Sequence, residues 1–164
     1  MLIAAGLTGV YAETIPNFEL LSVTVFCTGV LLGARDGALV GVITMLVFSL
    51  LNPYGPAPPL VTAAQVGANA AYGLAGALAA RLGLPAWPVA IRVAGLALSA
   101  VVLTASYDLL TNVATGLTFG NMRIWLVGGI PFALWHIAWN TVLFVTIGTP
   151  LTPVFARYAE RLSA

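Results

Sequence analysis

The stretch Ala38-Leu-Val-Gly-Val-Ile-Thr-Met-Leu-Val-Phe-Ser-Leu-Leu51 decides the fold, because it carries no charged side chain. Similar apolar runs occupy residues 23–32 and 93–103, and of the 164 residues 60% are hydrophobic and 7% charged. Soluble domains carry about 25% charged residues, so this chain could not cover a water-exposed surface. No segment alternates as the strands of a membrane barrel do, which leaves helices to satisfy a backbone in hydrocarbon. We therefore predict an all-α integral membrane protein.

Charged residues, prolines and glycines divide the chain into predicted spans. Six spans cover about 2–14, 19–33, 36–51, 60–81, 90–114 and 130–148, and a short interfacial helix covers 152–164. The chain is then one compact six-helix membrane domain. Because the opening MLIAAGLTGV lacks a basic region, we interpret it as a retained span rather than a signal peptide.

The arginines indicate the orientation of these spans. With both termini in the cytoplasm, only Arg123 falls outside. The cytoplasmic arginines are then Arg35, Arg81, Arg92, Arg157 and Arg161. This distribution follows the positive-inside rule and predicts a multi-pass membrane protein with both termini in the cytoplasm.

Charge and cysteine content exclude several functions. The chain has six arginines, no lysine and no basic cluster, so nothing is available to neutralise nucleic-acid phosphates. Cys27 is the single cysteine, which excludes an internal disulfide and a cysteine metal site. There is no Gly-x-x-x-x-Gly-Lys-Ser/Thr motif for binding ATP. We predict no cofactor and no metal, and any active transport requires an energising partner.

Three predicted spans carry polar side chains at helical spacing, which places each set on one helix face. These candidate substrate-binding residues are Gln65, Asn69, Asp108, Asn112, His136 and Asn140, with the aromatic Trp135 beside the histidine. All lie in the outer halves of their spans, so we expect one outward-facing site. A carboxylate within a span costs about 2.5–3.5 kcal/mol on insertion scales, which makes Asp108 the strongest candidate. The alternative for each residue is a structural hydrogen bond between helices.

Residues 52–59 contain four prolines and form a stiff, extended outer loop. The loop carries Tyr54, which we expect to contact a bound substrate. Small residues four apart mark two further helix faces, Ala5 with Gly9 and Gly37 with Gly41. Such faces allow close helix contact, either inside the bundle or with a partner protein.

Several segments together resemble the substrate-binding S components of energy-coupling factor (ECF) vitamin transporters. The similar segments are Ile15-Pro-Asn-Phe-Glu-Leu, Leu32-Gly-Ala-Arg-Asp-Gly-Ala-Leu-Val-Gly, Leu51-Asn-Pro-Tyr-Gly-Pro-Ala-Pro-Pro, Tyr107-Asp-Leu-Leu-Thr-Asn, Gly129-Ile-Pro-Phe and His136-Ile-Ala-Trp-Asn. The resemblance covers nearly the whole chain and agrees with its size and with six helices.

The resemblance implies a small membrane subunit that captures a vitamin or related micronutrient from outside. It also implies three partner subunits, a transmembrane T component and two cytoplasmic ATPases. That family docks on the T component through Ala-x-x-x-Ala in its first helix. This chain has Ala5-x-x-x-Gly9 and Ala4-x-x-x-Thr8 instead. Ala5 and Gly9 are therefore the candidate docking residues.

Two alternative functions remain at this stage. Phe132-x-x-x-His136 and His136-x-x-x-Asn140 are similar to motifs of intramembrane CAAX-type proteases. Those enzymes also need a pair of glutamates as the base that activates water, and no adjacent glutamates occur here. We therefore predict that the protein is not an enzyme. A purely structural membrane subunit would explain the small-residue faces but not the polar ones.

The orientation can be tested by thiol labelling of intact cells. In a Cys27→Ser background, a cysteine at Ala57 should react with an impermeant thiol reagent and one at Ser163 should not. The expected contrast follows from placing the 52–59 loop outside and the C-terminus in the cytoplasm. Labelling in the opposite sense would refute the orientation.

Overall fold

The computed structural model describes residues 1–11, 19–53 and 55–162. Throughout these ranges the regular structure is helical and no strand occurs, which confirms the all-α prediction. The helices are α1 (Leu2–Tyr11), α2 (Leu21–Leu50), α3 (Pro59–Arg81), α4 (Val89–Phe119), α5 (Met122–Gly128), α6 (Ile130–Leu143) and α7 (Thr149–Leu162). A 3₁₀ turn at Leu84–Ala86 joins α3 to α4, and a π-helical turn at Phe144–Gly148 joins α6 to α7.

Three of these helical stretches are long and apolar enough to cross a membrane. They are Leu21–Leu50, Val89–Phe119 and Ile130–Leu162. A multi-pass membrane protein is compatible with this finding. The count of six spans and the side of each terminus stay predictions.

Helix α2 reverses direction at Gly33. The φ of Gly33 is 85° and its ψ is −176°, a conformation that side chains disfavour. A Cβ atom at Gly37 would lie 2.6 Å from Gly29 Cα, and one at Gly41 would lie 3.0 Å from Val25 Cγ1. Gly29 and Gly37 each lie four positions from Gly33, and Val25 and Gly41 each lie eight positions from it. Because residues equally far from Gly33 on its two sides meet, residues 21–32 and 34–50 form two antiparallel arms. The turn falls at the end of the second predicted span.

Helix α3 packs against both arms through backbone contacts that only glycine permits. A Cβ at Gly29 would lie 1.9 Å from the carbonyl oxygen of Gly73, and one at Gly76 would lie 1.9 Å from that of Phe26. A Cβ at Gly73 would lie 2.3 Å from the carbonyl carbon of Gly37. The Gly37-x-x-x-Gly41 face therefore packs inside the bundle rather than against a partner.

The two ends of the bundle differ in charge. At the end that contains the Gly33 turn, Asp36, Arg81 and Leu162 line a common groove. The same end of the bundle carries Arg35, Arg92 and the arginines of α7. Arg123, by contrast, lies on α5, beyond the far end of α4. Helix α1 runs toward the opposite end, where Tyr11 donates a hydrogen bond to the carbonyl oxygen of Leu51, 3.2 Å away.

Several helix limits differ from the predicted spans. Helix α4 continues to Phe119 instead of ending near residue 114, and α5 lies in the connection between the fifth and sixth predicted spans. Helix α1 ends at Tyr11, and residues 12–14 of the first predicted span lie outside the described residues.

The C-terminal helix also differs from the prediction. Instead of starting at residue 152 after a break, it begins at Thr149 and continues from α6 through the π-helical turn. Pro150 and Pro153 lack the N–H that an α-helix needs, which suggested a break in the sequence. A π-helical turn tolerates such local changes in bonding. The side chains of Leu151 and Phe155 pack against the core, so α7 is part of the bundle.

The glycine contacts can be tested by matched substitutions in α3. Gly76→Ala places a methyl group against the backbone of Phe26 and should destabilise the protein by about 1–3 kcal/mol. Gly67→Ala, in the same helix but with open space around it, should be neutral or stabilising by about 0.5–1 kcal/mol. The measurement is thermal unfolding of each purified variant in detergent. Equal midpoints for the two variants would contradict the proposed backbone contact.

Candidate functional site

A cavity of about 230 Å³ lies at the end of the bundle opposite the Gly33 turn. It is smaller than the roughly 300–1,000 Å³ typical of ligand pockets and therefore suits a small molecule. Its polar wall comprises Glu19, Ser22, Gln65, Asn69, Asp108, Thr111, Asn112 and His136. Its apolar and aromatic wall comprises Leu21, Met45, Phe48, Tyr107 and Phe132. We refer to the space lined by these residues as the cavity, and to the residues as its wall.

The structure brings most of the sequence candidates together. Gln65, Asn69, Asp108, Asn112 and His136, from three different helices, all line the cavity. Gln65 and Asn69 lie in the second and third turns of α3. Asp108 and Asn112 lie in the C-terminal half of α4, and His136 lies in the second turn of α6. Because α3 and α6 run from the cavity end while α4 runs toward it, these positions reach the same level.

Two candidates do not line the cavity. Asn140 is fully buried one helical turn beyond His136. Trp135 is 48% exposed and stacks edge-on against Trp139, with the ring centroids 5.5 Å apart. It therefore lies on the outside of the bundle. Tyr54 lies outside the described residues.

Asp108 and His136 form a buried pair at the centre of the polar wall. The Nδ1 of His136 lies 2.9 Å from Oδ1 of Asp108. Whenever the carboxylate is ionised it can only accept hydrogen bonds, and Nδ1 is then the donor of this bond. The edge of the Tyr107 ring faces the imidazole, with centroids 5.8 Å apart, and Phe132 lies 6.2 Å away. The pair is thus held in a fixed orientation by aromatic neighbours.

A hydrogen-bond network of three side chains forms a layer beneath the cavity. Asn140 Nδ2 donates to Oγ1 of Thr104 at 3.0 Å, and the Tyr72 hydroxyl lies 3.0 Å from the same oxygen. Each of these three side chains lies one helical turn from a residue of the cavity wall. Tyr72 follows Asn69 by three positions, Thr104 precedes Asp108 by four, and Asn140 follows His136 by four. This network joins α3, α4 and α6 and fixes the spacing of the cavity wall above it.

Glu19 is the main residue that sequence reasoning missed. A charged residue at the start of a predicted span favours a solvated helix end, but Glu19 is half-buried at the cavity. Its carboxylate accepts hydrogen bonds from the backbone N–H of Leu21 and of Ser22, and from Ser22 Oγ at 2.9 Å. Glu19 therefore caps α2. Burial raises the pKa of the Glu19 carboxyl above its usual range, although His136 and the capping bonds oppose the shift. An acid two residues before a long apolar run was the signal for this cap.

The aromatic wall was also missed. Phe132 lies four residues before His136 and therefore shares its helix face, while Tyr107 directly precedes Asp108. The hydroxyl of Tyr107 donates to Met45 Sδ, 3.9 Å away. Helical spacing could have indicated Phe132. Nothing in the sequence indicated that Phe48 and Met45 of α2 meet the residues of α4 and α6.

Across residues 1–11, 19–53 and 55–162, no group of three or more His, Cys, Asp or Glu side chains is placed to hold a metal ion. The cavity presents carboxylates, amides, one imidazole and aromatic rings. It can hold a small molecule through hydrogen bonds, charge and ring contacts.

Comparison with protein-family models, with curated proteins and with solved structures finds no match. The residues of the chain and their arrangement are therefore the basis for its function.

The network beneath the cavity can be tested with two threonine variants of α4. Thr104→Val leaves two buried polar groups, the Tyr72 hydroxyl and the Asn140 amide, without their shared partner. It should cost about 1–3 kcal/mol of stability. Thr118→Val removes only a bond to the carbonyl oxygen of Ala114 in the same helix and should have little effect. Thermal unfolding in detergent measures both. A Thr104→Val protein as stable as the control would mean that the network does not hold the helices together.

Proposed function

We propose that this chain is the substrate-capturing subunit (S component) of an ECF-type uptake transporter for a vitamin or related micronutrient. The observation that carries the proposal is the cavity, which gathers the polar residues of three helices at the end away from the Gly33 turn. The positive-inside rule assigns the arginine-rich turn end to the cytoplasm. The cavity then faces outward, where a substrate would be captured.

In this proposal the chain crosses the prokaryotic cell membrane six times and both termini are cytoplasmic. The crossings are α1, the two arms of α2, α3, α4 and α6. Their alternating directions support this count. The arms at residues 21–32 and 34–50 are shorter than the roughly 20 residues of a full crossing, so the membrane is thin around them.

The proposed partners are a transmembrane T component and two cytoplasmic ATPases. The chain itself has no lysine and no phosphate-binding loop, so the energy for uptake comes from these partners. The docking face is Ala5-x-x-x-Gly9 on α1. Ala5 is exposed, whereas Gly6 is buried and a Cβ there would lie 3.1 Å from Thr44 Cγ2. The Gly6 face thus holds α1 to the bundle and leaves the Ala5 face for a partner helix.

The protease-like alternative gains no support from the arrangement around His136. The imidazole pairs with Asp108, and Asn140 lies in the layer beneath, bonded to Thr104. Among the described residues, Glu19 is the one glutamate at the cavity, and its carboxylate caps α2. Retention of an unchanged small molecule favours capture, whereas its conversion to a product would favour an enzyme.

The capture function is tested by mass spectrometry of small molecules released from the purified protein. A wild-type protein that captures substrate should retain a defined compound from the medium, and cells carrying the complete transporter should accumulate that compound. A wild-type protein that neither retains nor accumulates any compound would refute the capture function.

Docking is tested with Ala5→Leu, which adds bulk to the exposed face of α1. It should abolish uptake of the retained compound and leave its binding unchanged, because close helix contact needs small side chains. Gly6→Leu is the control, since it should disrupt packing of α1 and reduce both activities. Normal uptake by the Ala5→Leu protein would show that this face docks no partner.

A further inference from the structure

Two oxygen atoms that line or border the cavity lack hydrogen-bond donors. Oδ2 of Asp108 and Oδ1 of Asn69 are buried and unpaired, and the two residues are only 4% and 1% exposed. Both residues belong to the cavity wall, one on α4 and the other on α3. A buried acceptor without a donor costs about 1–3 kcal/mol. A ligand that brings N–H groups to both atoms would recover this cost.

Three other acceptor groups of the wall are already engaged by the protein itself. Oδ1 of Asp108 accepts from His136, and Oε1 of Gln65 accepts from Ser49 Oγ at 2.8 Å. The carboxylate of Glu19 is bonded to the first turn of α2. These bonds hold the wall in place without a ligand. Among the described lining residues, Asp108 Oδ2 and Asn69 Oδ1 are the fully buried acceptors left without a donor.

The charge of the cavity favours a cation. Two carboxylates, Glu19 and Asp108, line it together with one imidazole, and among its described lining residues there is no arginine. With more carboxyl groups than basic groups, the cavity favours a cationic over an anionic ligand. Phe48, Tyr107 and Phe132 supply ring faces and edges, which attract a planar cation and stack on a planar ring.

We propose, on the basis of the capture function above, that the substrate is a small planar cation with at least two N–H donors. An amidinium group or a protonated amino-substituted heterocycle has this chemistry. Asp108 Oδ2 accepts from one N–H and pairs with the positive charge, and Asn69 Oδ1 accepts from a second N–H. The aromatic wall holds the ring. Neutral and anionic analogues of the same shape bind more weakly, because they leave the carboxylate without a charged partner.

The test uses benzamidinium and benzamide, which have nearly the same shape and differ in charge and in the number of N–H donors. Ligand-observed NMR titration of the full chain in detergent measures both affinities. Wild-type protein should bind benzamidinium at least tenfold more tightly than benzamide, a difference of about 1.4 kcal/mol. Equal affinities, tighter binding of benzamide, or no binding of benzamidinium would each overturn the inference.

Variants assign the preference to the two acceptors. Asp108→Asn should remove the preference for benzamidinium, and Asn69→Leu should weaken its binding severalfold. Asp36→Asn, an exposed acid at the turn end, is the matched control and should change neither affinity. A folded Asp108→Asn protein that keeps the full preference would overturn the role of Asp108.

The nature of the retained compound separates this inference from the capture function. If the wild-type protein retains and transports a neutral or anionic compound, the substrate class is wrong while the capture function holds. If it binds benzamidinium selectively but supports no uptake with any partner, the cation site is correct and the transporter function is wrong.

Discussion

The hydroxyl of Thr104 is the point on which the candidate site depends. It lies in the middle of α4, accepts a hydrogen bond from Asn140 on α6 and bonds with Tyr72 on α3. In hydrocarbon, helices gain little from burying apolar surface, so packing and such interhelical hydrogen bonds hold them together. Because Thr104 lies one turn below Asp108, this contact also sets the height and facing of the cavity wall.

Glycine contacts fix the other half of the bundle. Gly29, Gly73 and Gly76 bring the backbone of α3 against both arms of α2 at distances that no side chain would allow. These contacts place the ends of α2, with Glu19 and Phe48, opposite Asn69. The cavity therefore lies between two assemblies held by different forces, backbone packing between α2 and α3 and side-chain hydrogen bonds among α3, α4 and α6.

The carboxylate of Asp108 has two distinct environments within this frame. One oxygen is paired with His136, which orients the group, and the other is buried without a donor. A charge so placed is costly unless it serves recognition. The arrangement therefore links the stability of the bundle to binding, since a ligand with N–H donors would stabilise the cavity wall. In the proposed function, this link accounts for the polar residues at this end of an otherwise apolar chain.

The sequence by itself determined the helical class, the polar helix faces that carry Gln65, Asn69, Asp108 and His136, and the interruption between the second and third predicted spans. These features follow from composition and from the 3.6-residue repeat, which are local. Only the tertiary structure decided which polar residues line the cavity. His136 and Asn140 share one helix face, but four residues differ in depth by about 6 Å, so the first reaches the cavity and the second lies beneath it. Tertiary contacts such as that between Gly73 and Gly37 also set the rotation of the helices about their axes. In the resulting arrangement Trp135 faces outward and Glu19 lies at the cavity.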